Sequence, residues 1–190
     1  MAIALRALGR TPEARVEWAL KFRLLDLTKL SERARHRAWA MLVAWERGRP
    51  AEGPRPARDK VPEAQQALRQ VIEALANGLP DVVWMPETTW SIWPARRRRP
   101  GARRGGRVTM TTDHTSPGGI PVTPEAIVVA FVNDLNAVEA DRLRACPLKT
   151  NGTTCGAIFL AARRQIYCTA RHAQAAAWLR YQPKRKEKRP

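Results

Sequence analysis

The sequence predicts a mainly α-helical protein, in which a helical N-terminal domain precedes a small α+β domain. Three observations support this fold class. Apolar residues recur at helical spacing through most of the first 77 positions and again after Thr123. All three cysteines and one of the three histidines lie between positions 146 and 172. The net charge of +17 is concentrated, because residues 94–107 carry +7 and residues 142–190 carry +11, so that the rest sums to −1.

Two helical segments are predicted near the N-terminus. Thr11 and Pro12 form a cap and first-turn pair, and Ser31 with Glu32 marks a second start. The apolar faces are Val16, Leu20, Leu24 and Leu27 in the first segment, and Ala34, Ala38, Met41, Leu42 and Trp45 in the second. These segments form either a helical hairpin or one long broken helix.

A third helix follows a linker. Residues 49–60 are rich in Pro, Gly and charge, which favours an exposed loop. The helix is expected over 62–77, between Pro62 and the Asn77-Gly78 stop. Its apolar face is Ala64, Leu68, Val71, Ile72 and Leu75.

Tryptophans and arginines follow in a segment with two interpretations. Trp84, Trp90 and Trp93 stand among residues that favour strands, directly before Arg96–Arg99. The aromatic side chains could stack on bases beside the arginines, but packing into a core or interface is the favoured interpretation. Residues 94–120 are predicted to form a loop or linker.

A connecting helix is predicted from Thr123 to about Arg142. Thr123, Pro124 and Glu125 provide a cap and an acidic first turn, which favour helix over strand for the Val-rich run that follows. Its apolar face is Ile127, Phe131, Leu135 and Val138. The predicted organisation is a helical domain at 1–93, a linker at 94–120, a connecting helix at 121–141, a zinc-binding domain at 142–182 and a basic tail at 183–190.

The cysteine and histidine spacing predicts one structural Zn²⁺. Three thiolates and an imidazole suit tetrahedral zinc and leave no position for water or substrate. Cys168 and His172 are four residues apart, so a helix starting near Thr169 would direct both at one ion. Cys146 and Cys155 are separated by eight residues, longer than a tight knuckle, and the polar insert between them can loop out.

The surrounding segments predict a treble-clef-like zinc finger. Strands at 143–145 and 157–160 should pair, and 165–167 should deliver the third ligand. The expected small core is Ile158, Phe159, Ile166, Trp178 and Leu179, too small to fold without metal. A lone cysteine or histidine is usually an ordinary buried or surface side chain, and we interpret His36 and His114 in this way.

Several motifs in the last quarter of the chain match a known family. They are RLRAC before the first ligand, Cys-Gly-x-x-Phe at 155–159, Arg-Arg-Gln at 163–165, Tyr-Cys at 167–168 and a basic, aromatic helix. This pattern resembles the CGNR zinc-finger domain, found at the C-terminus of small bacterial proteins usually described as transcription regulators. The resemblance implies the metal-ligand roles for Cys146, Cys155, Cys168 and His172. The chain diverges at His172, where the family usually has cysteine, and at Ala173-Gln174, which replace the name-giving Gly-Asn-Arg.

The basic C-terminal segment indicates a nucleic-acid partner, with double-stranded DNA as the first expectation. The candidate contact residues are Arg163, Arg164, Arg171, Arg180, Lys184, Arg185 and Lys186. In a DNA-binding transcription regulator, the N-terminal helices would sense a ligand or form a homodimer. The alternative is an RNA-associated or protein-interaction zinc module.

The sequence also indicates several absences. It contains no Ser-His-Asp arrangement, P-loop or Gly-rich dinucleotide motif, and Asp113-His114 stands alone in a Gly- and Pro-rich segment, so we do not expect an enzyme. No run approaches the roughly 20 apolar residues of a membrane span. Three cysteines suited to metal binding and the lack of a secretory signal predict a cytoplasmic protein.

Overall fold

The computed structural model describes residues 11–48, 51, 55–56, 59–77, 81–85, 88–93, 109–112, 123–150, 152–162 and 164–186. These residues are mainly helical, with a small α+β region near the C-terminus, as the sequence predicts. The chain divides into two compact units, Met1–Asp141 and Arg142–Pro190. Arg96–Arg99, His114, Arg163, the last four residues and most of the predicted linker lie outside the described residues.

Helices α1 (Pro12–Phe22) and α2 (Glu32–Arg47) are separate, with a 3-10 turn at Leu27–Lys29 between them. The predicted caps are present, because the side-chain oxygens of Thr11 and Ser31 accept hydrogen bonds from the backbone N–H groups three residues later. The predicted face of α1 is only partly correct: Val16 is buried, whereas Leu24 is 68% exposed. Leu24 lies beyond the end of the helix, where the chain has already turned.

Helices α3 (Val61–Asn77) and α4 (Pro124–Ala137) complete the N-terminal core. Helix α4 packs against α1, α2 and α3, so a segment distant in sequence joins the three earlier helices. Both predicted apolar faces are buried, namely Ala64, Leu68, Val71, Ile72 and Leu75 in α3, and Ile127, Phe131 and Leu135 in α4 with Val138 directly after it. The connecting helix is shorter than predicted, and a 3-10 turn at Ala140–Arg142 follows it.

An antiparallel sheet of order β1-β2-β3 also belongs to this unit. Its strands are β1 (Asp81–Met85), β2 (Thr88–Trp93) and β3 (Thr109–Thr112). The register pairs Trp84 with Thr89 and Trp93 with Thr109. The sequence interpretation assigned 81–93 to a helical domain and 109–112 to a linker. It recognised the strand-forming residues, but pairing across an Arg- and Gly-rich segment has no local signature.

The C-terminal unit is a small α+β arrangement. Strand β4 (Leu143–Ala145) pairs antiparallel with β7 (Ile158–Leu160), which confirms the predicted pairing. The polar insert between the first two cysteines forms a hairpin of β5 (Lys149–Thr150) and β6 (Thr153–Thr154), whose turn contains Gly152 at φ +78°. The unit ends with helix α5 (Ala170–Lys186).

Helix α5 is longer than the sequence indicated. It continues to Lys186, so Lys184, Arg185 and Lys186 belong to its last turn, although the sequence assigned them to a tail. Pro183 lies inside this helix and has no N–H group to donate to the carbonyl of Leu179. The helix therefore continues past one missing backbone hydrogen bond.

The small core of this unit differs from the predicted one. Ile166, Trp178 and Leu179 are 53%, 62% and 41% exposed, so the prediction that they form the core is wrong. The buried cluster beside the candidate ligands instead consists of Cys146, Leu148 and Ala176, with Phe159, Tyr167, Cys168 and Ala175 packed against it. Helix α5 faces this core with its small alanines, which allow the backbone to approach the metal-ligand residues, and the larger side chains remain outside.

Candidate metal centre

Cys146, Cys155, Cys168 and His172 converge at one place in the C-terminal unit. Their ligand atoms all lie within 4.8 Å of one another. The Sγ atoms of Cys155 and Cys168 are 3.9 Å apart, and His172 Nδ1 lies 3.7 Å from Cys146 Sγ and 3.1 Å from Cys168 Sγ. Among the residues that the structure describes, this is the one group of three or more His, Cys, Asp and Glu side chains arranged to hold a metal ion.

These separations fit the edges of a tetrahedron around one ion. With Zn–S and Zn–N bonds of about 2.3 and 2.0 Å, a regular tetrahedron places two sulfur atoms about 3.8 Å apart and sulfur and nitrogen about 3.5 Å apart. The observed distances lie on either side of these values. The four residues are therefore positioned to hold a metal ion.

The first two ligands lie on either side of the β5–β6 hairpin. Cys146 directly follows β4, and its N–H donates to the carbonyl of Ala157 over 2.9 Å. Cys155 follows β6, and its N–H donates to the carbonyl of Leu148 over 2.8 Å. Gly156 then takes φ +62°, a left-handed conformation that is costly for residues with a Cβ atom. The long insert therefore does not separate the two cysteines, because the hairpin returns the chain to its starting point.

The other two ligands are placed by the start of α5. The backbone N–H of His172 donates to Thr169 Oγ1 over 3.2 Å, so Thr169 caps the helix between the two ligands. Cys168 lies just before the first turn and His172 inside it. The predicted start near Thr169 is therefore correct to one residue.

Gln165 supports the loop before Cys168. Its Nε2 donates to the carbonyl of Tyr167 over 3.0 Å, and its Oε1 accepts from the N–H of Ala162 over 3.1 Å. In the sequence, this residue stands out only as part of a family motif. A glutamine three residues before a candidate ligand gives too weak a signal to predict this bracing role.

Burial and neighbouring groups shift the pKa values of two of the thiols in opposite directions. Burial raises the pKa of Cys146, but hydrogen bonds from the backbone of Cys168 and Leu148 and from His172 outweigh it and lower the pKa to about 6. Burial raises the pKa of Cys168 to about 11, aided by its hydrogen bonds to Cys146 and Cys155 and by the negative charge of those two residues in their thiolate forms. A second thiolate is therefore unfavourable here without a compensating positive charge, which a bound metal ion would supply.

Burial within the group is uneven. Cys146 is 1% exposed, Cys168 and His172 are partly buried, and Cys155 is exposed. Four protein ligands fill a tetrahedral coordination shell, so an ion here would keep no open position for a water or a substrate. The donor set is typical of a structural site.

The predicted nucleic-acid contacts that the structure describes belong to the same unit as this centre. Arg164, Arg171 and Arg180 are all exposed. Arg180 Nη2 donates to the hydroxyl of Tyr167 over 2.9 Å, which links the side chain to the loop that carries Cys168. Lys184, Arg185 and Lys186 are placed by their backbone in the last turn of α5, and Arg163 is outside the described residues.

A scan of family models, a search of curated proteins and a search of solved structures found no match to this chain. Across the described part of the chain, no helix combines the length and the apolar character needed to span a bilayer.

Proposed function

We propose that this protein is a zinc-dependent nucleic-acid-binding protein, a DNA-binding transcription regulator whose zinc ion is structural. The observation that carries the proposal is the convergence of three thiols and an imidazole at tetrahedral spacing in a basic unit. Zinc is the favoured ion because cysteine and histidine are its usual structural ligands. The motifs around the site support a divergent member of the CGNR zinc-finger proteins with a treble-clef-like finger.

The charge of the C-terminal unit supports a polyanionic partner. Residues 142–186 contain no Asp or Glu, and the whole segment 142–190 carries twelve Lys and Arg residues against one Glu. Such a surface neutralises phosphates and releases the counterions condensed on nucleic acid. Arg164 and Arg171 lie close to metal ligands in sequence, so the folded site would orient them. We propose no catalytic role, because a filled Cys₃His shell offers no reactive position.

The first experiment measures metal content and DNA binding on the same protein. Elemental analysis of the full chain should give about one zinc per chain. A salt titration of binding to a duplex should show affinity that falls steeply with salt. Arg171→Gln should reduce the slope of the logarithm of affinity against the logarithm of salt concentration by about one. Lys21→Gln, which removes an exposed basic residue from the N-terminal unit, is the matched control and should leave the slope unchanged.

Removal of zinc distinguishes binding by a folded interface from electrostatic attraction by the basic residues alone. Zn²⁺ with three thiolates carries one negative charge, so loading the site adds no positive charge to the protein. Attraction by charge alone therefore predicts that Cys168→Ala or chelation leaves binding unchanged, whereas a folded interface predicts a loss on the order of 10-fold or more at physiological salt. Equal binding by the zinc-free protein would contradict the proposal.

A further inference from the structure

Two large aromatic side chains on helix α5 lie exposed on its outer side. Trp178 is 62% exposed and Tyr181 is 71% exposed. They are three residues apart in one helix, which makes them neighbours on its surface. Ala176, a buried residue of this helix, is two positions before Trp178 and so points about 200° away from it. The two rings therefore belong to a surface that the core of the unit leaves open.

The charges around this aromatic pair indicate the chemistry of its partner. Arg171 is exposed two turns before Trp178, and Lys184, Arg185 and Lys186 form the last turn beyond Tyr181. The absence of any acid from residues 142–186 disfavours a second copy of this unit, because like charges would face each other. A single nucleic-acid strand presents bases and phosphates in alternation. Exposed aromatic rings can stack on its bases, and the neighbouring cationic residues can bind its phosphates.

We infer that Trp178 and Tyr181 stack on unpaired bases, so that the C-terminal unit recognises nucleic acid with single-stranded character. This inference rests on the proposed nucleic-acid binding and adds a base-contacting component to it. The arginines and lysines bind phosphates of any strand, paired or unpaired. The aromatic rings contact bases only where the base faces are free, because stacked bases in a duplex leave no face for a side chain.

The test compares Trp178→Ala with the wild-type full chain in the zinc-loaded state, by fluorescence anisotropy at one fixed salt concentration. The probes are a short oligothymidylate, an oligouridylate of the same length, the corresponding duplex and an abasic strand that keeps the phosphates. The expected loss is on the order of 10-fold for strands with bases, with no loss for the abasic strand or the duplex. The first two probes distinguish DNA from RNA as the source of the unpaired bases.

Two further variants separate stacking from loss of apolar surface or of folding. Trp178→Phe should recover part of the affinity for the strands that carry bases. Ile166→Ala removes a comparably exposed apolar side chain from the same unit and should change no affinity. Zinc content should stay at the wild-type level in all three variants, since none of them changes a ligand.

Different results would contradict base stacking and the proposed function. Equal losses on all four probes, no loss on any of them, or a change in the mass of the protein in solution with Trp178→Ala would overturn base stacking. The proposed function would survive those outcomes as long as wild-type binding depends on zinc and salt. Wild-type protein that binds none of the probes would refute both.

Discussion

At the scale of single residues, the candidate metal centre depends on two side chains that hydrogen-bond to the backbone around it. Thr169 caps the helix that carries His172, and Gln165 holds the loop that carries Cys168. Neither residue would bind the ion, but each fixes a backbone segment to which a ligand is attached. Groups of this kind commonly change metal affinity by about 10- to 100-fold when they are removed.

His172 allows the identity of the ligands to be tested. His172→Ala should weaken zinc binding by about 100-fold or more, because it removes a direct ligand while outer-shell losses alone reach that range. His172→Cys should retain the ion, since a fourth thiolate completes a tetrahedral Cys₄ site. Competition with a chromophoric chelator measures both affinities.

The control for this experiment is His36→Ala, which alters an exposed histidine of helix α2 near Trp39. It should leave zinc affinity unchanged. Unchanged affinity in His172→Ala would show that the imidazole is not a ligand.

At the scale of secondary-structure elements, the N-terminal helices are joined by polar groups as well as by their apolar faces. Gln65 on α3 donates to the carbonyls of Phe22 and Leu25 over 2.7 and 2.8 Å, where α1 ends. Arg69, one turn further along α3, donates to the carbonyl of Arg23. Helix α3 thus donates hydrogen bonds to backbone carbonyls at the end of α1, and Arg69 brings a positive charge to the negative, C-terminal end of the α1 dipole.

Asp134 connects three helices in the same unit. It accepts two hydrogen bonds from Arg15 on α1, at 2.6 and 2.5 Å, and one from Trp45 Nε1 on α2 at 2.7 Å. Asp134 itself lies on α4 and is 8% exposed. A buried carboxylate of this kind is stable only because charged and polar donors surround it.

Asp134→Ala should destabilise the protein by about 2–3 kcal/mol, because it removes the acceptor of the buried Trp45 N–H and the ion pair of Arg15. Arg15 is partly exposed, which keeps the loss below that of a fully buried pair. Asp134→Asn keeps an acceptor for Trp45 and should lose less. Urea unfolding monitored by circular dichroism measures both changes.

Glu17→Ala is the matched control, since it removes an exposed acid from α1. It should shift the unfolding free energy by less than about 0.5 kcal/mol. A similar small shift in Asp134→Ala would contradict the bridging role of Asp134.

At the scale of the whole molecule, the two units differ in what stabilises them. The N-terminal unit buries large apolar side chains, including Phe22, Leu42, Leu68, Ile72 and Phe131. Among the described residues, the C-terminal unit buries only two leucines, two alanines and one cysteine, with a few partly buried neighbours. Such a core is too small to fold alone, so metal binding would supply most of its stability.

Chelation should therefore unfold one unit and spare the other. Amide hydrogen exchange of the full chain should accelerate throughout β4, β7 and α5 after zinc is removed, while α3 and α4 keep their protection. Readdition of zinc should restore the slow exchange. Uniform acceleration in both units, or none in the C-terminal unit, would contradict a structural role for the ion confined to that unit.

Much of the fold and of the metal centre could be predicted because the signals are local. Helical periodicity and caps identified α1 to α4, and the pairing of β4 with β7 followed from two apolar stretches around the first two cysteines. Soft ligands within 27 residues of one another indicate a common site by their type and spacing alone. The sequence by itself thus determined the helical class, the candidate ligands and the concentration of positive charge.

Tertiary structure decided the features that depend on distant contacts. The pairing of β2 with β3 joins segments on either side of an Arg- and Gly-rich stretch, and Asp134 meets Arg15 across 119 positions. Tertiary structure also reversed the predicted core of the C-terminal unit, placing Ala176 inside and Trp178 outside. Hydrophobicity alone favours burying the tryptophan. Ala176 lies one turn after His172 on α5 and Trp178 about 200° around the helix from Ala176, so a helix that brings His172 to the candidate site turns alanine inward and tryptophan outward.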